Sequence, residues 1–123
     1  LLIEVIEPSI LRVSKNEWSF KPGLYAYVGS AMNSLEKRVS RHLSPRKKKH
    51  WHIDYLLEKA KIKFVLMIRS DKKIEEEISK VLAKHFPGIR KFGASDLKVK
   101  SNLFYIDSVK KFFQVVGSII PFD

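Results

Sequence analysis

The chain is predicted to fold as a small mixed α/β domain, with helices packed against a largely antiparallel sheet. Three observations support this. With 123 residues, 45% of them hydrophobic and 30% charged, the chain has room for one core but not for two. Short apolar runs bounded by proline and glycine open the sequence, as strands do. Longer stretches with apolar residues three and four apart then alternate with further short runs, giving the order β-β-β-α-α-β-α-β-α.

Leu1 to Ile6 reads as a strand closed by Glu7-Pro8-Ser9, and Ile10 to Val13 as a second, followed by a polar turn over Ser14 to Glu17. Lys21-Pro22-Gly23 is a turn, and Leu24 to Val28 a third strand. Side-chain alternation puts Tyr25, Tyr27 and Gly29 on one face of it and Leu24, Ala26 and Val28 on the other. The second set suits the core, so the tyrosine face is expected to stay partly open. Asn33 and Glu36 fit a capping box for a helix over Ser34 to Leu43, ended by Pro45. Ile53, Leu56, Leu57 and Ala60 suggest a second helix, and Phe64 to Ile68 reads as the best interior strand. Asp71 can cap a third helix whose apolar stripe is Ile74, Ile78, Val81, Leu82 and Phe86, stopped by Pro87-Gly88. Phe92 to Val99 is irregular, Leu103 to Ile106 is a strand, and Ser108 caps a last helix through Val116. No repeat or low-complexity segment interrupts this order.

Composition narrows the function classes. A formal net charge of +11 favours polyanionic partners and speeds encounter with them, without bearing on the fold. There is no cysteine, which excludes disulfides, a thiol nucleophile and thiolate zinc sites, and leans toward a cytoplasmic location. No apolar run approaches the roughly 20 residues that span a bilayer, and no secretory leader pattern opens the chain. A monomer without membrane association is expected.

The segment from Gly23 to Asp54 concentrates the chemistry. Between Trp18 and Ile53 its only acidic residue is Glu36. Arg38 and His42 lie four apart on the first helix, as do Lys37 and Arg41, so two basic stripes flank the apolar one. Arg46, Lys47, Lys48 and Lys49 follow in a loop suited to phosphate contacts, or to solubility alone. Arg38 can pair its planar guanidinium with two phosphate oxygens. Tyr27 or Tyr25 can move a proton or orient water if a positive field lowers the phenol pKa from about 10. Both tyrosines can equally be packing residues. His50, Trp51, His52 and Asp54 form H-W-H-I-D. In an extended segment its polar residues share one side and could hold a metal; in a helix they diverge, leaving His52 or Asp54 to cap the helix and Trp51 to pack or stack on a base. Glu75, Glu76 and Glu77 offer a carboxylate for Mg²⁺, but composition does not separate them, and helical phase keeps all three off the apolar stripe. Gly93-Ala94-Ser95-Asp96 marks a loop of functional type, in which Asp96 can also be a simple turn former. There is no glycine-rich nucleotide loop.

Several stretches carry a resemblance: Gly23 to Ala31 (GLYAYVGSA), Leu35 to Leu43 (LEKRVSRHL), His50 to Leu57 (HWHIDYLL), Phe92 to Asp96 (FGASD) and Ser101 to Tyr105 (SNLFY). In these the chain resembles the GIY-YIG nuclease superfamily, and more closely its DUF123 branch of small archaeal and bacterial proteins, which occur alone or attached to endonuclease III-like repair enzymes. The resemblance implies a central three-stranded, mainly antiparallel sheet flanked by helices, and metal-dependent hydrolysis of DNA phosphodiesters with Mg²⁺ or Mn²⁺. The Y-I-G hallmark falls on Tyr27-Val28-Gly29, followed by Ser30, and the helix arginine on Arg38. The metal-binding glutamate falls on Glu75, with Glu77 as the second choice. The chain departs from the superfamily in one respect. Gly23-Leu24-Tyr25 resembles the first hallmark but lies directly against the second, whereas active enzymes place the first on the opening strand. That tyrosine is either upstream of Leu1 or absent.

Three functional readings follow. The first is a metal-dependent endonuclease acting on DNA, in repair. The second is a DNA- or RNA-binding module that kept the scaffold and lost catalysis. The third is an interaction domain for a repair protein, with Phe112, Phe113, Ile119, Ile120 and Phe122 forming an apolar patch unless they close the domain's own core.

Overall fold

The structure is a computed structural model that describes residues 1–13, 15–29, 35–45, 52–68, 75–92 and 101–119. Its strands are β1 (Leu2–Val5), β2 (Ser9–Val13), β3 (Asn16–Phe20), β4 (Gly23–Tyr27), β5 (Ala60–Phe64) and β6 (Leu103–Ile106). The helices are α1 (Leu35–Leu43), α2 (His52–Leu56), α3 (Glu75–His85) and α4 (Val109–Ile119). The α/β class expected from the sequence is observed. The sheet has four strands rather than three, in the order β5-β1-β4-β6, with every pair antiparallel. β2 and β3 form a separate hairpin.

Both faces of the sheet are covered, which makes three layers. On one face Ile3, Val5, Tyr25 and Leu103 meet Leu11, Trp18 and Phe20 of the hairpin, Ile53 and Leu56 of α2, and Phe92. On the other, Leu2, Ala26, Phe104 and Ile106 meet Leu82 and Phe86 at α3 and Phe112, Val115 and Val116 of α4. Aromatic edges lock the hairpin layer. Phe20 stands edge-on to Tyr25 at 5.6 Å between ring centroids and to Phe92 at 6.1 Å. Trp18 meets Phe92 at 5.4 Å and donates its indole N–H to the Arg90 carbonyl at 2.8 Å. Lys91, in a left-handed conformation (φ 62°), turns the chain there so that Phe92 re-enters the core.

Several expectations are corrected. The polar stretch expected as a turn over Ser14 to Glu17 overlaps β3, which begins at Asn16 and whose Trp18 and Phe20 point inward between outward polar residues. Only two apolar residues mark that alternation, so the polar count hid it. The strand expected over Phe64 to Ile68 lies earlier, over Ala60–Phe64, and residues 65–68 are irregular. Pairing with β1 sets this register, from Val5 opposite Ala60 to Leu2 opposite Phe64 with an irregularity between Leu2 and Ile3. β5 is an edge strand, not an interior one, and exposed Lys61 and Lys63 are tolerated there. The second helix accordingly stops at Leu56. In α3 the buried row is Ser79 and Leu82, continued by Phe86 beyond the helix. Counting back four from Ser79 places Glu75 at the head of that row, so helical phase does not keep it away from the core.

The last strand is found as expected. The last helix begins where Ser108 accepts the Lys111 amide at 3.2 Å, and it continues to Ile119. Phe112 is core. Phe113 is partly exposed and meets Phe64 edge-on at 5.5 Å. Asn33 and Asp71, expected as caps, lie outside the described residues, as do Ile120 and Phe122. Among the described residues no helix is long and apolar enough to cross a membrane.

Gly23 shows why a glycine opens β4. Its φ is +146°, and a Cβ there would stand 2.8 Å from the Tyr105 ring, over which the Lys21 ammonium sits at 3.9 Å. Gly23→Ala is therefore expected to cost about 1–3 kcal/mol for the backbone alone, with more from displacing Tyr105. Urea unfolding of the variant measures it, and a loss below about 0.5 kcal/mol would contradict the close approach.

Candidate functional site

The site builds up at the end of β4. Tyr25 and Tyr27 share a strand face, yet their surroundings differ. Tyr25 is 1% exposed, and its hydroxyl donates to the Lys21 carbonyl at 2.7 Å. Burial first, then the neighbouring Tyr105, push its pKa up to about 12. The expected open face is absent at this position, and Tyr25 is a core residue. Tyr27 is only partly buried. Gly29 beside it leaves the ring edge uncovered, since a Cβ there would touch the Tyr27 ring at 3.6 Å.

α1 brings two groups to Tyr27. Arg38 and His42 are one turn apart. His42 is buried, and its ring stands edge-on to Tyr27 with centroids 6.1 Å apart. The second basic stripe does not form as expected. Lys37 is exposed, but Arg41 folds down onto Asp54, Nη1 donating to Oδ1 and Nη2 to Oδ2, both at 2.8 Å. Asp54 is 0% exposed. Two parallel charge-assisted bonds are the strongest geometry available to this pair, and they raise the Arg41 pKa further. Asp54 is thus a helix-to-helix anchor. His52 lies in α2 too, so the H-W-H-I-D residues that are described diverge. His52 packs against Trp18 at 5.0 Å and Phe92 at 5.6 Å, and burial lowers its pKa.

The acidic side comes from α3. Asn102, just before β6, donates from Nδ2 to Glu75 Oε1 at 3.4 Å, while Ser79 Oγ donates to Asn102 Oδ1 at 3.3 Å. Ser79 and Asn102 are both buried. The Asn102 backbone is held as well, its carbonyl accepting from the Val28 amide at 2.9 Å. Glu76 instead pairs with Lys80 at 3.5 Å and Glu77 is exposed. Tertiary packing thereby separates three glutamates that composition could not.

The charges of Glu75, Arg38 and Asp54 all act on the Tyr27 hydroxyl. Burial is the largest influence and raises its pKa, Glu75 raises it further, Arg38 opposes, and Asp54 adds to the rise; the result is about 12. The condition for Tyr27 to give up its proton, a positive field that lowers its pKa, is not met, because desolvation outweighs one arginine. A carboxylate fixed by an amide suits Mg²⁺, which needs only one or two protein oxygens and keeps waters or phosphate oxygens in its remaining positions. Among the described residues no three histidine or carboxylate side chains converge, as a zinc centre would require. Ser30, Arg46, Lys47, Lys48, Lys49, His50, Trp51, Gly93, Ser95 and Asp96 lie outside the described residues.

Sequence reading missed Asn102, Ser79 and the Arg41–Asp54 pair. Ser79, four after Glu75, carried a usable helical signal. The ion pair joins residues on two different helices, and no local pattern announces it.

Two predictions follow from this geometry. Arg41→Ala strands a buried carboxylate and should cost about 3–5 kcal/mol. Asp54→Asn should cost less, because the arginine side chain is 27% exposed and can turn to water; denaturant unfolding that reversed this order would refute the anchor. Tyr27 should titrate near 12 in ultraviolet difference spectra, lower in Glu75→Gln and higher in Arg38→Met. Its phenol is buried neutral, so that contribution to stability is complete below pH 10 and falls as pH rises toward 12.

Comparison with curated proteins finds no match. Comparison with solved structures finds none either. A family model described as "Domain of unknown function DUF123" matches residues 1–121, and the chain belongs to that family.

Proposed function

We propose that the protein is a metal-dependent endonuclease of GIY-YIG type, hydrolysing DNA phosphodiester bonds with Mg²⁺ or Mn²⁺, and that it works in DNA repair beside a repair enzyme. The observation that carries this reading is the convergence at the end of β4. His42 of α1 stands 6.1 Å from Tyr27, and Asn102, which accepts from the Val28 amide, donates to Glu75 of α3, so that helices carrying Arg38 and Glu75 meet beside one hydroxyl. A phosphoryl-transfer site needs such a mixture of cation holder, phosphate clamp and proton-handling group. Arg38 binds and orients the phosphate through its planar guanidinium. Glu75, steadied by Asn102, would hold the divalent ion, which when bound offsets the charge growing on the phosphoryl oxygens.

With a pKa of about 12, Tyr27 is protonated at neutral pH, and removing its proton at pH 7 would cost about 7 kcal/mol. Its phenol therefore donates a hydrogen bond, to water or to a phosphate oxygen. His42 is the adjoining side chain with an imidazole nitrogen able to accept a proton, so it is assigned to accept the proton of the attacking water. Arg41 and Asp54 touch no substrate in this scheme; they hold α1, and with it Arg38 and His42, in place.

One observation favours a second reading, a DNA- or RNA-binding module without catalysis. β1 carries no tyrosine, and the residue exchanging backbone hydrogen bonds with Tyr27 is Leu1, at 2.8 and 2.9 Å. Cleavage assays on duplex, single-stranded and branched DNA, with Mg²⁺, Mn²⁺ or chelator, decide between the two. The expected result is metal-dependent cleavage that falls about 10²–10³-fold in Glu75→Gln and in Arg38→Ala. Salt-sensitive binding without cleavage of any substrate would leave the binding module.

A further inference from the structure

A groove opens directly beside the site. It lies between the end of α1 (His42 to Pro45), the α2 segment with the turn after it (Asp54, Leu57, Glu58) and the edge strand β5 (Ala60, Lys61, Ile62), and is half-open to solvent with a volume of about 440 Å³. That volume is in the range of pockets that hold a small ligand, and is far too small for a duplex. Leu57, Ala60 and Ile62 give the groove apolar walls, and Ser44 and Glu58 are the polar residues of the helix side that line it. Apolar walls with a few polar groups match a flat group having apolar faces and a polar edge. A nucleobase has that form, and a carboxylate accepts hydrogen bonds from exocyclic amines of the kind cytosine presents.

Position supplies the second argument. His42 belongs both to the groove and to the cluster around Tyr27. Arg38 precedes His42 by one helical turn, about 6 Å along the axis. A phosphate held by Arg38 therefore leaves the next nucleotide at the mouth of the groove. The net charge of +11 favours a polyanionic strand over a neutral small molecule as the source of that base.

We infer that this groove binds one unpaired nucleobase of the substrate strand, next to the phosphate held by Arg38. The phosphate's position rests on the endonuclease reading; the groove's shape and lining do not. Taking a base out of a duplex costs a few kcal/mol, and least where it is mismatched or already single-stranded. The preferred substrate is then a strand with an unpaired nucleotide beside the bond to be cut, rather than a perfect duplex.

The test uses oligonucleotides carrying 2-aminopurine at single positions, mixed with the full chain in chelator so that nothing is cut. Expected are a fluorescence change confined to one probe position and about tenfold tighter binding of a duplex with one unpaired base than of the paired duplex. Ile62→Trp fills the groove and should abolish both, with salt-dependent duplex binding kept within about twofold. Should that variant not fold by circular dichroism, Glu58→Gln, at an exposed position, should weaken binding of a cytosine probe more than that of a thymine probe. Equal binding of bulged and paired duplexes, or a probe signal unchanged in the folded variants, overturns the inference. A probe signal lost on filling the groove, in a protein that cuts nothing, upholds the pocket while the endonuclease reading fails. Cleavage indifferent to unpaired bases does the reverse.

Discussion

A four-stranded sheet with a hydrophobic cluster on each face leaves the middle of β4 no side free to face water, and the rest of the molecule is arranged around that constraint. On β4 it puts Ala26 against the α3–α4 layer and Tyr25 beneath the β2–β3 hairpin. Chemistry is left to the ends of the strands, where the layers part. Tyr27 sits at such an end. It shares a strand face with Tyr25, but the aromatic lid of Phe20 reaches only Tyr25. One tyrosine is thereby structural and the other addresses the site.

The second determinant is the buried carboxylate of Asp54. Burying an unpaired charge would cost several kcal/mol, so a fully covered aspartate survives only with a well-aligned partner. Arg41 meets this need from α1 with two bonds of 2.8 Å. The bidentate fork restrains both the rotation and the height of α1, which carries Arg38 and His42 on the adjoining stripe. The polar run from Ser79 through Asn102 to Glu75 gives similar restraint from the opposite side. These bonds are longer, the first between two neutral groups and the second charged only at its acceptor, so they orient the carboxylate more than they strengthen the fold.

Electrostatics around Tyr27 show how such a site balances opposing effects. A basic segment suggests an acidified phenol, yet the pKa rises because burial removes water from the phenolate and Glu75 adds a like charge. Proton transfer therefore passes to His42 in the proposed mechanism, and the phenol is left to donate. The groove beside His42 continues the same surface toward the open edge of β5. Phosphate binding, proton handling and base recognition would then occupy adjacent parts of one concave region.

Much of this protein was legible in its residues. Apolar periodicity determined the α/β class, the strands at Leu2–Val5, Gly23–Tyr27 and Leu103–Ile106, and the helices that carry Arg38, Glu75 and Phe112, because local patterns record which side of an element is buried. Tyr27, Arg38 and Glu75 came together as a proposed set through the GIY-YIG resemblance, and none of the motif stretches contains Glu75. Whatever depended on partners distant in sequence was not legible. β1 chose Ala60–Phe64 over the more apolar Phe64 to Ile68, because register is set by the neighbouring strand. Packing of α3 turned Glu75 toward Asn102 and left Glu77 outside, although the three glutamates are chemically equal. Docking of α2 on α1 made Asp54 an anchor and tied the Arg41 guanidinium to it. Sequence thus determined which groups are present and on which elements they ride; only the tertiary structure decided which of them meet, since burial and pairing energies depend on neighbours the local chain does not contain.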